Sequence, residues 1–183
     1  MIIERDIWLV RETKCRYHVN HISTKESVDI IRNAKKDGLP VTCDTSPPYF
    51  TLNEFNLEDY RTFAKLNPPL RTEKDRESII EGISDGTIDS ITSDHTPQDQ
   101  DAKRLPFNQA EFGGVGLETL LPLSLNLVKS KKISIETMIR LMTYNPARIL
   151  NIETGIIKEK AEADLSIFDA SYPWKVNPET FHC

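Results

Sequence analysis

Arg16-Tyr17-His18-Val19-Asn20-His21-Ile22-Ser23-Thr24-Lys25-Glu26 reads as a strand that runs directly into a helix. Residues 16–22 are short and rich in strand formers. Ser23-Thr24-Lys25-Glu26 has the form of a capping box: the Ser23 hydroxyl accepts from the Glu26 N–H, and the Glu26 carboxylate reaches back to the Ser23 N–H. Val28, Ile31 and Ala34 then give a helical stripe that Gly38 stops. The pattern repeats. Val41-Thr42-Cys43-Asp44-Thr45 is a β-branched strand broken by Ser46-Pro47-Pro48-Tyr49-Phe50. Thr72 caps a helix whose apolar side is Ile79, Ile80 and Ile83, with Gly86 as its stop, and residues 87–92 form a third strand. Helical crossovers make the strands parallel, so the class is α/β. Functional residues of such units gather at the C-terminal ends of the strands. Those ends carry His21, Asp44 and Asp94.

Outward from this series, residues 3–14 space Ile3, Ile7 and Val10 as a helix. Residues 46–71 are irregular, with at most a short helix near 57–64, and a polar loop covers 98–114. Helices follow over 117–129 and 134–144, the second with Ile135, Met138, Ile139 and Met142 at i, i+3, i+4 and i+7. Lys129, Lys131 and Lys132 read as solvated charge at a helix end, and Trp174 as packing. Residues 163–169 read as one strand outside the series. The expected division is 1–150 and 151–183.

Composition sets bounds on function. In 183 residues, 23 basic against 28 acidic side chains give a net charge of −5. That balance offers no electrostatic reason to bind nucleic acid or an anionic membrane. No run approaches the length of a membrane span. Charge at Glu4, Arg5 and Asp6 falls where an export signal needs its apolar centre. Cys15, Cys43 and Cys183 are odd in number and far apart, with no CxxC pair, so a reducing cytoplasm is the default expectation. A complete eight-stranded α/β barrel takes roughly 250 residues, more than this chain holds.

Several side chains invite chemistry, each with a plainer alternative. His21 at a strand end suits a zinc ligand; otherwise it is a half-buried imidazole bonded to backbone. His18, three residues earlier on the same strand, points to the opposite face and does not share an ion with it. Asp94 could bind a metal, shuttle a proton, or cap the turn that follows. Asp44 before Ser-Pro-Pro reads as an ordinary turn residue. In Asn67-Pro68-Pro69-Leu70-Arg71 the two prolines stiffen the chain and present Asn67 and Arg71, and Arg71 could grip a carboxylate through two bonds. Phe112-Gly113-Gly114 offers backbone N–H and C=O groups suited to a planar amide, or is a flexible loop.

The combination is more specific than its parts. Tyr17-His18-Val19-Asn20-His21-Ile22-Ser23-Thr24, Asn67-Pro68-Pro69-Leu70-Arg71, Asp85-Gly86-Thr87-Ile88-Asp89, Ser93-Asp94-His95-Thr96-Pro97 and Phe112-Gly113-Gly114-Val115-Gly116-Leu117-Glu118-Thr119 occur in that order. Asn145-Pro146-Ala147-Arg148-Ile149-Leu150 and Ala163-Asp164-Leu165 follow. Together they resemble the C-terminal half of bacterial dihydroorotases, of the amidohydrolase superfamily, from about Arg5 to Val176. The resemblance implies the last three strands of a distorted (β/α)8 TIM barrel of the metal-dependent type, then the truncated start of a β-sandwich. It implies a binuclear zinc centre and the reversible hydrolysis of L-dihydroorotate to N-carbamoyl-L-aspartate in pyrimidine synthesis. His21 takes the place of the ligand to the second zinc. Asp94 takes that of the first-zinc ligand and proton shuttle. Asn67 and the Phe112-Gly113 backbone take those of substrate contacts, with Arg71 beside them.

The chain also departs from that pattern. The His-x-His pair, the bridging carboxylated lysine or its acidic substitute, and the histidine of the fifth strand are absent from it, which points to part of a longer enzyme, inactive alone. Family members often carry His-His where Pro48-Tyr49 stands, and a substrate-contacting His where Gln98 stands; Gln98 can still donate and accept hydrogen bonds but cannot become cationic. Rival readings are an inactive dihydroorotase-like subunit scaffolding aspartate transcarbamoylase, and a hydantoinase or allantoinase relative. A homodimer is a further expectation for the full-length protein.

Overall fold

The computed structural model describes residues 2–182. Met1 of the charged opening and Cys183 of the cysteine count lie outside them; Cys15 is an exposed and Cys43 a buried free thiol. The elements run α1 (Ile2–Thr13), β1 (Tyr17–Val19), α2 (Lys25–Lys36), β2 (Val41–Thr45), α3 (Pro47–Thr51), α4 (Glu73–Ser84), β3 (Ser90–Ile91), α5 (Gln100–Lys103), α6 (Leu117–Lys129), α7 (Ile135–Met142) and α8 (Tyr144–Leu150). Short 3₁₀ turns occupy Glu54–Leu57, Thr62–Ala64 and Pro178–Thr180.

The strands form a parallel sheet in the order β1-β2-β3. His18 is in register with Thr42, and Asp44 with Ser90. The apolar stripes of α2 and α4 close over the sheet: Val28, Ile31, Ile79 and Ile83 are buried with Val41, Cys43 and Ile91. Removing this surface from water is the main favourable contribution to the fold. The sheet is also clasped by charge. Asp89 Oδ2 accepts from the Cys43 N–H at 2.8 Å and from Lys35 Nζ at 2.6 Å, and Lys35 also donates to the Thr87 carbonyl. A side chain thus occupies a position that β3 backbone would otherwise fill, and β3 shortens to two residues, Ser90–Ile91, of the expected 87–92.

Three local expectations give way to tertiary partners. The first concerns the start of α2. Its cap is Thr24, whose hydroxyl accepts from the Ser27 N–H, one residue later than the expected box on Ser23 and Glu26. The Lys25 N–H is taken from across the fold by Asp75 Oδ1 at 2.8 Å, so no carboxylate from the helix's own first turn is needed there. The second concerns Ser46–Phe50, which does not simply break the chain. Pro47 and Pro48 occupy the opening of α3, where a missing N–H costs nothing. The third is the expected strand at 163–169. No strand forms there, because no neighbouring segment among the described residues pairs with its backbone; Ile167 is fully exposed and Leu165 is 65% exposed. Trp174 is also half-exposed, beside α6 with Tyr172 and Val176. α6 and α7 fall close to the expected 117–129 and 134–144, with Thr143 (φ −132°, ψ −74°) ending α7, whereas α8 and the single turn α5, inside the expected 98–114 loop, are additions to the expected elements.

Candidate active site

The C-terminal rim of the sheet holds four titratable side chains. β1 ends at Val19, and the backbone turns into the left-handed region at His21 (φ 53°). Asp94, beyond β3, does the same (φ 47°). Non-glycine residues rarely hold this conformation, which costs of order 1 kcal/mol or more each and concentrates at functional positions. At both positions the turn aims the side chain across the rim: His21 Nε2 lies 3.5 Å from Asp94 Oδ1.

Asp44 lies between them and organises both histidines. Its Oδ1 accepts from the His21 backbone N–H at 2.7 Å and lies 3.2 Å from His21 Nδ1. Its Oδ2 is 3.0 Å from His18 Nε2, and His18 Nδ1 contacts Thr42 Oγ1 at 2.7 Å. Beyond the strand ladder, the Ile22 N–H donates to the Asp44 carbonyl and Thr45 Oγ1 to the Ile22 carbonyl. The expectation that His18 and His21 face opposite ways therefore fails. Alternation holds only within a strand, and the reversal at His21 brings its ring back to the carboxylate His18 already holds. An Asp close before Ser-Pro-Pro usually bonds the backbone just after it, but Asp44 takes its partners from β1 and the turn after it. Its place at a strand end, shared with His21 and Asp94, was the available signal.

The electrostatics follow from this packing. Burial pushes Asp44 upward, but the bonds from His18 and His21 outweigh it and bring the carboxyl to about 2. The bond to Asp44 raises His21, against burial and with help from the Asp94 charge. Burial raises Asp94, and nearby Asp44 adds to this while His21 opposes it. Asp44 is thus a fixed anion, and Asp94 a carboxylate held readier to take a proton.

The other candidates surround this cluster. Asn67 and Arg71 are exposed. Their segment is tied down by buried Tyr49, whose hydroxyl donates to the Pro68 carbonyl at 2.8 Å. Burial raises the Tyr49 phenol; the Asp94 charge raises it further and Arg71 lowers it, so all three act within one electrostatic neighbourhood. Gln98 and Phe112 are exposed and Gly113 is buried. Gly113 (φ 123°) lies against Thr96: a Cβ there would stand 2.5 Å from the Thr96 carbonyl oxygen. The Thr96 N–H donates to the Gly114 carbonyl at 2.9 Å, which docks the loop two residues past Asp94. His95 turns away from the cluster, and its Nδ1 accepts from Gly116 and Leu117 N–H groups at the start of α6.

The donor set fits a metal by type. His21 supplies a buried Nδ1 without a well-directed hydrogen bond, leaving Nε2 toward Asp94. Yet among the described residues no group of three or more His, Cys, Asp or Glu side chains could hold a metal ion. Zinc takes three or four protein donors, so His21 and Asp94 fall short by number.

Comparison with known proteins bears on the chain as a whole. It is 46% identical over 182 residues to a dihydroorotase of Anaplasma phagocytophilum, covering 99% of this chain and 41% of that protein. It is 45% identical over 181 residues to one of Desulforapulum autotrophicum, covering 99% and 42%. The chain thus spans about two fifths of the relatives it matches. Among solved structures, an L-hydantoinase from Arthrobacter aurescens superposes with a TM-score of 0.82 at 29% identity, over 88% of this chain and 37% of that one. A dihydropyrimidinase from Brevibacillus agri gives 0.82 at 23% identity, a likeness of fold. The model of the amidohydrolase family matches residues 4–182, nearly the full length, and the chain belongs to that family.

Proposed function

We propose that this chain supplies one rim of the active site of a zinc amidohydrolase that reversibly hydrolyses L-dihydroorotate, a cyclic amide, to N-carbamoyl-L-aspartate. The observation that carries the reading is the approach of His21 and Asp94 to 3.5 Å at the C-terminal rim of a parallel sheet, in a chain 42–46% identical to dihydroorotases. Three strands in parallel order correspond to the last three of a barrel, with the remaining zinc donors on polypeptide outside these 183 residues. Residues 1–150 would be barrel and 151–183 the start of a further region. Cytoplasmic location and homodimer formation belong to the same reading.

Within it, His21 through Nε2 and Asp94 through its carboxylate would hold zinc, which when bound supplies a water activated near neutral pH. The rest falls to the chain's own groups. Asp94 would accept the proton of the attacking water and return it to the departing amide nitrogen, which is a poor leaving group without it. Asp44 holds the His21 peptide N–H and stands 3.2 Å from its Nδ1, a place from which a carboxylate can orient a ligating imidazole. Arg71 and Asn67, whose segment Tyr49 ties down, would face the substrate carboxylate, and the Phe112-Gly113 stretch would present backbone to the ring amide through groups other than the Gly113 N–H, which the Lys65 carbonyl holds. Gln98 contributes a neutral hydrogen-bonding contact.

The hydantoinase reading is kept by one observation, the 0.82 superposition on L-hydantoinase. A direct test is hydrolysis of dihydroorotate, hydantoin and allantoin by the full-length protein, before and after chelation. Zinc-dependent turnover of dihydroorotate alone supports the proposal. Preference for hydantoin transfers the chain to the second reading. A protein that binds aspartate transcarbamoylase and turns over none of the three is a scaffold.

A further inference from the structure

Lys103 is a lysine at 3% exposure in the middle of a surface loop, a position lysine rarely takes without partners. It ends α5, a single turn capped by Asp99. Its Nζ donates to three backbone carbonyls: Gly113 at 3.0 Å, Glu111 at 3.0 Å and Lys65 at 3.2 Å. An ammonium has three N–H donors, and all three are used here. The acceptors come from two separate segments. Glu111 and Gly113 lie on the loop that carries Phe112, and Lys65 lies just before Asn67. The Gly113 N–H closes the arrangement by donating to the same Lys65 carbonyl at 3.0 Å. Lys65 answers from the other side, donating through Nζ to the Phe107 and Ala110 carbonyls and lying over the Phe107 ring at 5.3 Å. Apolar packing holds the far part of this loop, where Ala110 is buried and Tyr60 meets Phe107 edge to face at 5.5 Å, while Phe112 itself is exposed.

We infer that Lys103 is a positioning residue: its ammonium locks the Glu111–Gly113 backbone to the segment entering Asn67, and so sets where the Phe112-bearing loop, read as substrate-facing, stands relative to Asp94. The substrate half of this statement rests on the proposed function; the lock itself does not. The argument is geometric. Gly113 is docked on Thr96, two residues beyond Asp94, and the Thr96 N–H is held by Gly114. With the Phe112 side chain exposed, the Glu111–Gly113 stretch itself is held by its anchored backbone groups and its contact with Thr96. Burial lowers the Lys103 amine, yet the three acceptors require the charged form, since a neutral amine has only two N–H donors.

The experiment is Lys103→Met, which keeps the chain length and removes the donors, followed by hydrogen-exchange mass spectrometry on the intact chain. Exchange at the Thr96 and Gly113 amides should quicken about tenfold or more, the loss expected when charge-assisted bonds are removed, with β2 and α2 unchanged. Unchanged protection at Thr96 and Gly113 overturns the inference. If Lys103→Met loses protection everywhere, Lys103→Gln decides: two retained N–H donors should leave β2 intact with the loop partly loosened, and a loop as protected as wild type overturns the inference again. In the full-length enzyme, Lys103→Met should raise KM for dihydroorotate by about tenfold with kcat changed far less, because the group touches no reacting atom. A fall in kcat alone counts against a positioning role. Quickened exchange in a parent that does not hydrolyse dihydroorotate leaves the lock standing and removes only the substrate reading.

Discussion

Asp44 lies 3.0 Å from His18 Nε2 and 3.2 Å from His21 Nδ1 and accepts from the His21 backbone N–H. Removing its charge should therefore act on His21 before it acts on stability. Asp44→Asn in the full-length protein is expected to weaken zinc binding about 10- to 100-fold, read by competition with a chelator, because an amide cannot orient the ring as the carboxylate does. Retained affinity would show that Asp44 serves only the fold. Asp94→Ala tests the next link. If Asp94 is the proton acceptor proposed above, its loss in the full-length protein should lower kcat by at least about 10²-fold, with zinc content falling alongside; near-normal turnover would remove Asp94 from the chemistry. His21 and Asp94, read as candidates from their motifs, do come together; Asp44 shared their strand-end place but its partners, like those of His18, Tyr49 and Lys103, are remote in sequence: Asp44 meets His21, 23 residues away, and Tyr49 meets Pro68, 19 away.

Among the helices, the junction between α2 and α4 carries the clearest dependence on pH. Asp75 closes a capping box with Thr72 and also takes the Lys25 N–H at the start of α2, so one carboxylate serves two helix ends. Burial pushes it up, and the bonds from Lys25 and Thr72 outweigh this and hold it below the ordinary carboxylate value. A carboxyl lowered in the folded state contributes stability above its unfolded value near 3.8, and that contribution is lost as pH falls through the folded value. Wild type should thus exceed Asp75→Asn in urea stability at neutral pH, and the gap should shrink as pH drops below about 4. A gap that stays constant through this range would assign the effect to shape and not to charge. Thr72→Ala should cost about 1 kcal/mol in the same assay. These caps also show what local pattern can supply. The Thr72 box was legible because both halves lie on one turn. The box at Ser23 was misplaced because its carboxylate came from α4.

At the scale of the molecule, the sheet has β1 and β3 as edges with one neighbour each. The outward side of α1 leaves Ile2 and Trp8 70% and 59% exposed, and Leu165 and Ile167 stand out from the C-terminal segment. Open parallel edges and apolar surface of this kind favour association. The isolated chain is expected to self-associate, with sedimentation velocity showing species larger than 20.9 kDa at micromolar concentration. A monodisperse, cooperatively melting monomer would show that these surfaces need no cover.

The sequence by itself determined the order of elements, the parallel crossovers and two ends of the rim, because each is written in local spacing: apolar stripes at helical period, β-branched runs, and polar residues where strands stop. Only the tertiary structure decided that His18 and His21 share one carboxylate, that Asp75 caps a helix it does not belong to, that residues 163–169 form no strand, and that Lys103 ties two loops. Each depends on a partner distant along the chain or on one that is missing, and a hydrogen bond across the fold is fixed by the backbone reversal at His21 and by the packing of α2 on α4, not by any pattern in neighbouring residues.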